Sequence, residues 1–327
     1  MINLLALIAC VSISNLYSSI EDSPCPRNQP VVAYDTKADA IFLFGGYCST
    51  TKTRLNDLWV YKTNQWKKIE QNEAPAARSG HAMVYDAFND QLLVFGGKNE
   101  AGQLLNDLWS WNGSVWSQLE AAGPAPRQSH VLAFNAITGE VFLFGGSNAE
   151  KQSLNDTWIY QDEEWKRIHS SSVPPARLQH TLVHDADRNK MVLFGGFDRT
   201  ENGKVVYGDT WEWDEVQGWE LKNNNEQLAR DHHGMAYDWI SKSTILFGGY
   251  NQGYLGGTWY WRGEGWIKHT SHGPSERAGK PSLFYNNTAQ VVILFGGWDQ
   301  GNRPLMDFWK FDGKTTSWSP LVQLSKD

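Results

Sequence analysis

The chain has 327 residues, 20% of them charged and 13% aromatic, with 17 tryptophans and a formal net charge of −7. No Lys/Arg-rich run supplies the basic stripe that a phosphate backbone requires, which excludes a nucleic-acid reader. No apolar segment reaches the roughly 18 residues that span a bilayer, which excludes a transmembrane helix.

The N-terminus reads as an export leader. Residues 4–11 form a short apolar run, followed by small residues at Ser12/Ser14 and again at Ser18/Ser19. This pattern predicts a signal peptide over residues 1–19, although no Lys or Arg precedes the apolar run. Leu7-Ile8-Ala9-Cys10 also resembles a lipobox, which would leave the chain anchored through Cys10. Either way the expected location is secreted or periplasmic. Once Cys10 is removed, Cys25 and Cys48 are left. An oxidising compartment then allows one disulfide across a 23-residue separation. Such a loop is worth about 3 kcal/mol of chain entropy; two free thiols are the alternative.

A lead-in over residues 20–29 precedes a repeat that fills residues 30–322, with a tail at 323–327. An apolar run ends in Phe-Gly-Gly six times, with glycine pairs starting at Gly45, Gly96, Gly145, Gly195, Gly248 and Gly296. The spacings are 51, 49, 50, 53 and 48 residues, the mark of a repeat architecture. In the second copy, Arg78-Ser79-Gly80-His81 opens an alternating segment through Met83 and Tyr85. Leu92-Leu93-Val94-Phe95 follows, apolar throughout, then Asn106-Asp107-Leu108-Trp109 and finally Val115-Trp116-Ser117. Four short strands per copy, separated by Asn, Asp and Gly turns, predict an all-β fold. Strands apolar at every position need cover on both faces. Six such sheets hide their faces by stacking radially, as a six-bladed β-propeller of four-stranded antiparallel blades. The tryptophan pairs from Trp59/Trp66 to Trp309/Trp318 are then wedges between blades.

The run of Phe-Gly-Gly, Asn-Asp-Leu-Trp and a second Trp resembles the kelch repeat, of the type in the central domain of galactose oxidase. The resemblance implies a propeller with the first strand innermost. No strand is borrowed between termini, so closure is expected from blade 6 packing on blade 1, helped by a Cys25–Cys48 staple.

Candidate binding residues fall into two groups. An Arg-x-x-His signature recurs as Arg78/His81, Arg127/His130, Arg177/His180 and Arg230/His233, with Arg277/Lys280 and Arg27/Pro30 in the same place. The histidines are expected around one mouth of the channel, mainly as scaffolding. Five of the six arginines have a counterpart among Asp57, Asp107, Asp156, Asp209 and Asp307, which predicts bidentate bridges; blade 5 carries Gly257 instead. The second group follows the glycine pairs: Tyr47, Phe197, Tyr250 and Trp298, with Asp198, Asn251 and Asp299 next to the last three. These four neighbouring blades predict an aromatic arc suited to a sugar or a peptide. Residues 198–208 of blade 4 are a candidate lid or selectivity loop. Sequons occur at Asn112, Asn155 and Asn286, and Asn155 is expected to be buried within the repeat signature.

No nucleophile elbow, phosphate loop or metal motif is present, so no cofactor and no metal are expected. The leading reading is an exported, monomeric, non-catalytic binding module for a protein or glycan. Two alternatives remain. One is a sugar epimerase or mutarotase, a class with exported kelch members, using His233 as general acid/base. The other is a cytosolic scaffold, if the leader is retained.

Overall fold

A computed structural model describes residues 23–29, 31–269 and 272–322. The expected signal peptide with Cys10, the tail at 323–327, and Pro30 lie outside the described residues.

Each repeat forms its four strands in sequence order. In blade 2 these are Ala82–Asp86, Gln91–Asn99, Leu104–Trp111 and Trp116–Leu119, paired antiparallel. Among the described residues the strands make six such units, and the inner strands run Val31–Asp35, Ala82–Asp86, Val131–Phe134, Thr181–Asp185, Gly234–Asp238 and Ser282–Asn286. Each inner strand packs against the next, and the last packs against the first, so the ring is closed. The second strands are buried end to end: Val141–Phe144, Ser243–Phe247 and Val291–Phe295 have no exposed position. This is what two covered faces demand.

The tryptophans act as wedges, as their spacing predicts. The second Trp of each blade lies on the Phe before the glycine pair of the preceding blade: Trp116 on Phe44, Trp165 on Phe95, Trp219 on Phe144, Trp266 on Phe194 and Trp318 on Phe247, with ring centroids 4.9–5.5 Å apart. Trp66 of blade 1 lies on Phe295 of blade 6 at 5.6 Å, and Asn286 donates to Asp39 across the same seam. Closure therefore uses the same contact as every other seam. Cys25 and Cys48 are disulfide-bonded with Cα atoms 6.1 Å apart, but both belong to blade 1, whose lead-in strand Arg27–Asn28 pairs with Ala40–Cys48. The bond staples the lead-in and does not close the ring.

The glycine pairs form the seams. Gly96 has φ +64, and a Cβ there would lie 3.0 Å from the Arg127 carbonyl of blade 3. Gly97 donates its N–H to that same carbonyl at 2.8 Å. Only a residue without a side chain permits this approach.

Candidate functional site: the mouth of the propeller

Five of the six blades carry the predicted arginine–aspartate bridge. Arg78 Nη1 and Nη2 donate to Asp107 Oδ1 and Oδ2 at 2.8 and 2.7 Å, and Nη1 and Nε donate to the carbonyls of Gly96 and Ala76. Trp109 Nε1 completes the cage on Asp107 Oδ2 at 2.7 Å. Arg27/Asp57, Arg127/Asp156, Arg177/Asp209 and Arg277/Asp307 repeat it, each with its Trp. Burial would raise the Asp107 and Asp156 carboxyls, but the arginine fork and the indole N–H outweigh it and hold both below the usual carboxylate range. These arginines are clamps within the blade and lie outside the mouth cavity.

The histidines are also placed differently from a mouth lining. His81, His130, His180 and His233 are 0–2% exposed. Each stands edge-on to the Phe of the preceding blade, at 5.3–5.5 Å from Phe44, Phe95, Phe144 and Phe194. Burial pushes His81 down to about 3 and the other three well below the ordinary histidine value. His233 Nε2 is bonded to Thr181 Oγ1 at 2.6 Å, and the ring, expected to serve as general acid/base at the mouth, is not part of the mouth cavity's lining. The blade 6 assignment is also corrected. Ser282 pairs with Phe295 as Ala82 pairs with Phe95, so one residue is inserted and Pro281, not Lys280, occupies the histidine position.

The residue just before each histidine faces the axis instead. Ser129 N donates to Gly80 O, Gln179 N to Ser129 O, His232 N to Gln179 O and Lys280 N to His232 O. This chain of backbone bonds runs around the mouth. Its positive φ values, at Gln29, Gly80, Ser129, Gln179, His232 and Lys280, turn the backbone inward.

Over this collar lies a cavity of about 1000 Å³. Tyr47, Tyr250 and Trp298 of the predicted arc line it, joined by Tyr254, which meets Tyr250 edge-on at 5.7 Å. Tyr250 is 38% exposed. Phe197 is buried behind the wall, stacked on His232 and covered by Lys204 Nζ at 4.3 Å from its ring. Asp198 and Asp299 do not line the cavity; Asp198 pairs with Val205 along a hairpin, and Asp299 is held by Arg303. That hairpin, Phe197–Thr200 with Gly203–Val206, is what the blade 4 insertion forms. It delivers Lys204 over Phe197, Tyr250 and Asp231. Asn155, expected to be buried, is exposed.

The cavity is richer in cations than the chain as a whole. Lys52, Arg54, Lys204 and Lys280 line it against Glu100 and Asp231. Arg54 pairs with Glu100, and Lys204 with Asp231. Burial would raise the Asp231 carboxyl, but His232 and Lys204 hold it below its usual range. His232 Nδ1 is bonded to Asp231 Oδ1, which fixes the ring. Lys280 sits at the centre with no acidic partner among the described residues, and burial pushes its ammonium down to about 8. It also lines the axial cavity of about 190 Å³ beneath, between the inner strands. Lys280, His232 and Gln179 were recognisable only as departures from uniformity beside a conserved-looking signature. Among the described residues, no cluster of His, Cys, Asp and Glu could hold a metal ion, and no helix is long and apolar enough to cross a membrane.

Comparison with known proteins agrees with this architecture. A 112-residue stretch is 35% identical to an F-box/kelch-repeat protein of Arabidopsis thaliana, covering 31% of this chain and 22% of that protein. A 111-residue stretch is 34% identical to Tip elongation aberrant protein 3 of Schizosaccharomyces pombe, covering 32% of this chain and 9% of that one. The matches thus span a minor part of both relatives. The solved structure of YjhT superposes with a TM-score of 0.71 at 16% identity, over 92% of this chain and 99% of that one. The family model for the KLHDC2/KLHL20/DRC7 kelch-repeats domain matches residues 31–217 and 160–326. With that match along nearly the whole ring, the chain belongs to this kelch-repeat family.

Proposed function

We propose that this propeller is a binding module whose protein or glycan ligand sits over the axis, against blades 4, 5, 6 and 1, and presents an acidic group to Lys280. The observation that carries the reading is the pairing of an aromatic wall with a central lysine that has no acidic partner of its own. Tyr47, Tyr250, Tyr254 and Trp298 offer flat apolar faces, and Lys280 offers charge at the floor. Aromatic faces with a few convergent polar groups suit a sugar ring or a peptide side chain. A glycan and peptide array on the purified chain identifies the ligand. Tyr250→Ala then weakens binding at least tenfold while leaving the melting midpoint within about 2 °C, because the side chain is exposed. A large drop in midpoint with binding intact sinks the proposal.

A second reading, a sugar epimerase or mutarotase, is favoured by one observation. His232, oriented by Asp231, reaches the cavity, an arrangement suited to moving a proton. A sugar-anomerisation assay decides it: turnover lost in His232→Gln supports catalysis, and no turnover by the unaltered protein removes it. Export is part of the leading reading, supported by the Cys25–Cys48 disulfide. The mass of the mature N-terminus tests export, and a retained leader would favour the intracellular scaffold.

A further inference from the structure

Blade 5 breaks the clamp that the other five share. Where they carry an aspartate two residues before the first Trp, it has Gly257 before Trp259. Arg230 nevertheless keeps its place. Its Nε and Nη1 donate to the carbonyls of Leu228 and Gly248 at 2.9 and 3.1 Å, matching Arg78 on Ala76 and Gly96. It is 4% exposed, and its Nη2 has no partner among the described residues. Trp259 Nε1, which donates to the aspartate in the other blades, is buried without a partner. Burial without a counter-charge pushes Arg230 down to about 10. A buried indole N–H left unmade is costly, as is a guanidinium drawn into the blade without a counter-charge.

Gly257 has φ +82, which none of the five aspartates has, and the space beside it is open. A Cβ on Gly257 would meet nothing closer than Lys268 Cε at 3.6 Å and Trp259 Nε1 at 3.9 Å. Lys268 Nζ stands 5.7 Å from the Trp259 ring, adding a second cation on the solvent side. In the other blades the aspartate side chains remain 9–34% exposed, so the vacated place communicates with water. Glu276 packs by Gly256 and accepts from Gln300 at 2.6 Å. None of Arg230, Gly257, Trp259 or Lys268 lines the mouth cavity.

We propose that blade 5 carries a carboxylate-binding site formed by Arg230 Nη2, Trp259 Nε1 and Lys268, in which a carboxylate from outside the blade replaces the missing aspartate. The other blades display the complex: one carboxylate oxygen takes both Nη2 and the indole N–H, and the second takes Nη1. The forked, charge-assisted geometry favours a planar carboxylate over a spherical anion. The ligand is a small carboxylic acid or an acidic side chain of a bound polypeptide. It is independent of whatever occupies the mouth.

The test is an acetate titration of the full chain in chloride-free buffer, followed by indole N–H resonances and the melting midpoint. One indole signal should move saturably, in the millimolar range, and should be missing in Trp259→Phe. The indoles of Trp59, Trp109, Trp158, Trp211 and Trp309 already bond to aspartates and should stay still. Acetate should raise the midpoint of the unaltered protein, and Trp259→Phe should weaken that response at least fivefold. Arg230→Lys, which keeps the charge but loses the fork, should weaken it too and serves if the Phe variant folds poorly. A capped Asp-containing tetrapeptide binding more tightly than acetate assigns the site to a polypeptide partner; equal affinities assign it to a free acid. No saturable shift, an equal response to chloride, or an unchanged response in Trp259→Phe overturns the proposal.

Discussion

Two rows of residues at the mouth lie one position apart in the sequence and do opposite work. The row of His81, His130, His180 and His233 is repeated and sealed against the neighbouring blade's phenylalanine. The row before it, Gln29, Gly80, Ser129, Gln179, His232 and Lys280, is different in nearly every blade and faces the axis. Equivalent seams call for equivalent contacts, so repetition marks scaffold. The open axis imposes no such demand, so variation there is free to serve a ligand. Blade 5 shows the same lesson in reverse: where a repeated clamp loses one member, the remaining groups become available.

The sharpest way to break this comparison is at the sealed row. His130→Ala removes a fully buried ring from the blade 2–blade 3 seam and should cost about 3 kcal/mol. Thermal unfolding should show a drop of several degrees, and a drop under one degree would move the histidines out of the scaffold. Acid should act on the same row. These histidines are held neutral when folded, His81 with a pKa near 3, but take up protons near pH 6.5 when unfolded. Their contribution is therefore full above about pH 6.5 and is lost as pH falls towards the folded value. Each adds up to about 1.4 kcal/mol per pH unit. Urea midpoints measured from pH 8 to pH 5 should be level at the top and fall below 6.5, less steeply in His81→Gln. The smallest effect belongs to the facing row: Gln29→Ala, at an exposed side chain that lines the mouth, should change stability by under about 0.5 kcal/mol while altering ligand binding. A loss comparable to that of His130→Ala would erase the distinction between the rows.

Much of this was legible before any coordinates. Period and pattern specified strands, blades and wedges, because strands with two apolar faces have few ways to hide them. Counting arginines against aspartates gave the five clamps and the gap at Gly257. Three of the four arc aromatics, Tyr47, Tyr250 and Trp298, line the mouth. Phe197 does not, because Lys204 of the blade 4 hairpin lies over its ring and His232 of blade 5 stacks on it. The inserted residue in blade 6 was hidden for a related reason: Arg277 and Lys280 have the spacing of Arg and His, and only strand register reveals Pro281 in the histidine position.

By itself, then, the sequence determined the repeat unit, its strand pattern and the residues that recur to hold it, because local alternation and recurrence are written directly in the chain. Which of two adjacent residues turns inward depended on a positive φ and on a seam with a blade about fifty residues away. The cationic floor of the mouth and the vacant clamp of blade 5 came likewise from ring closure, which gathers side chains that no spacing along the chain brings together.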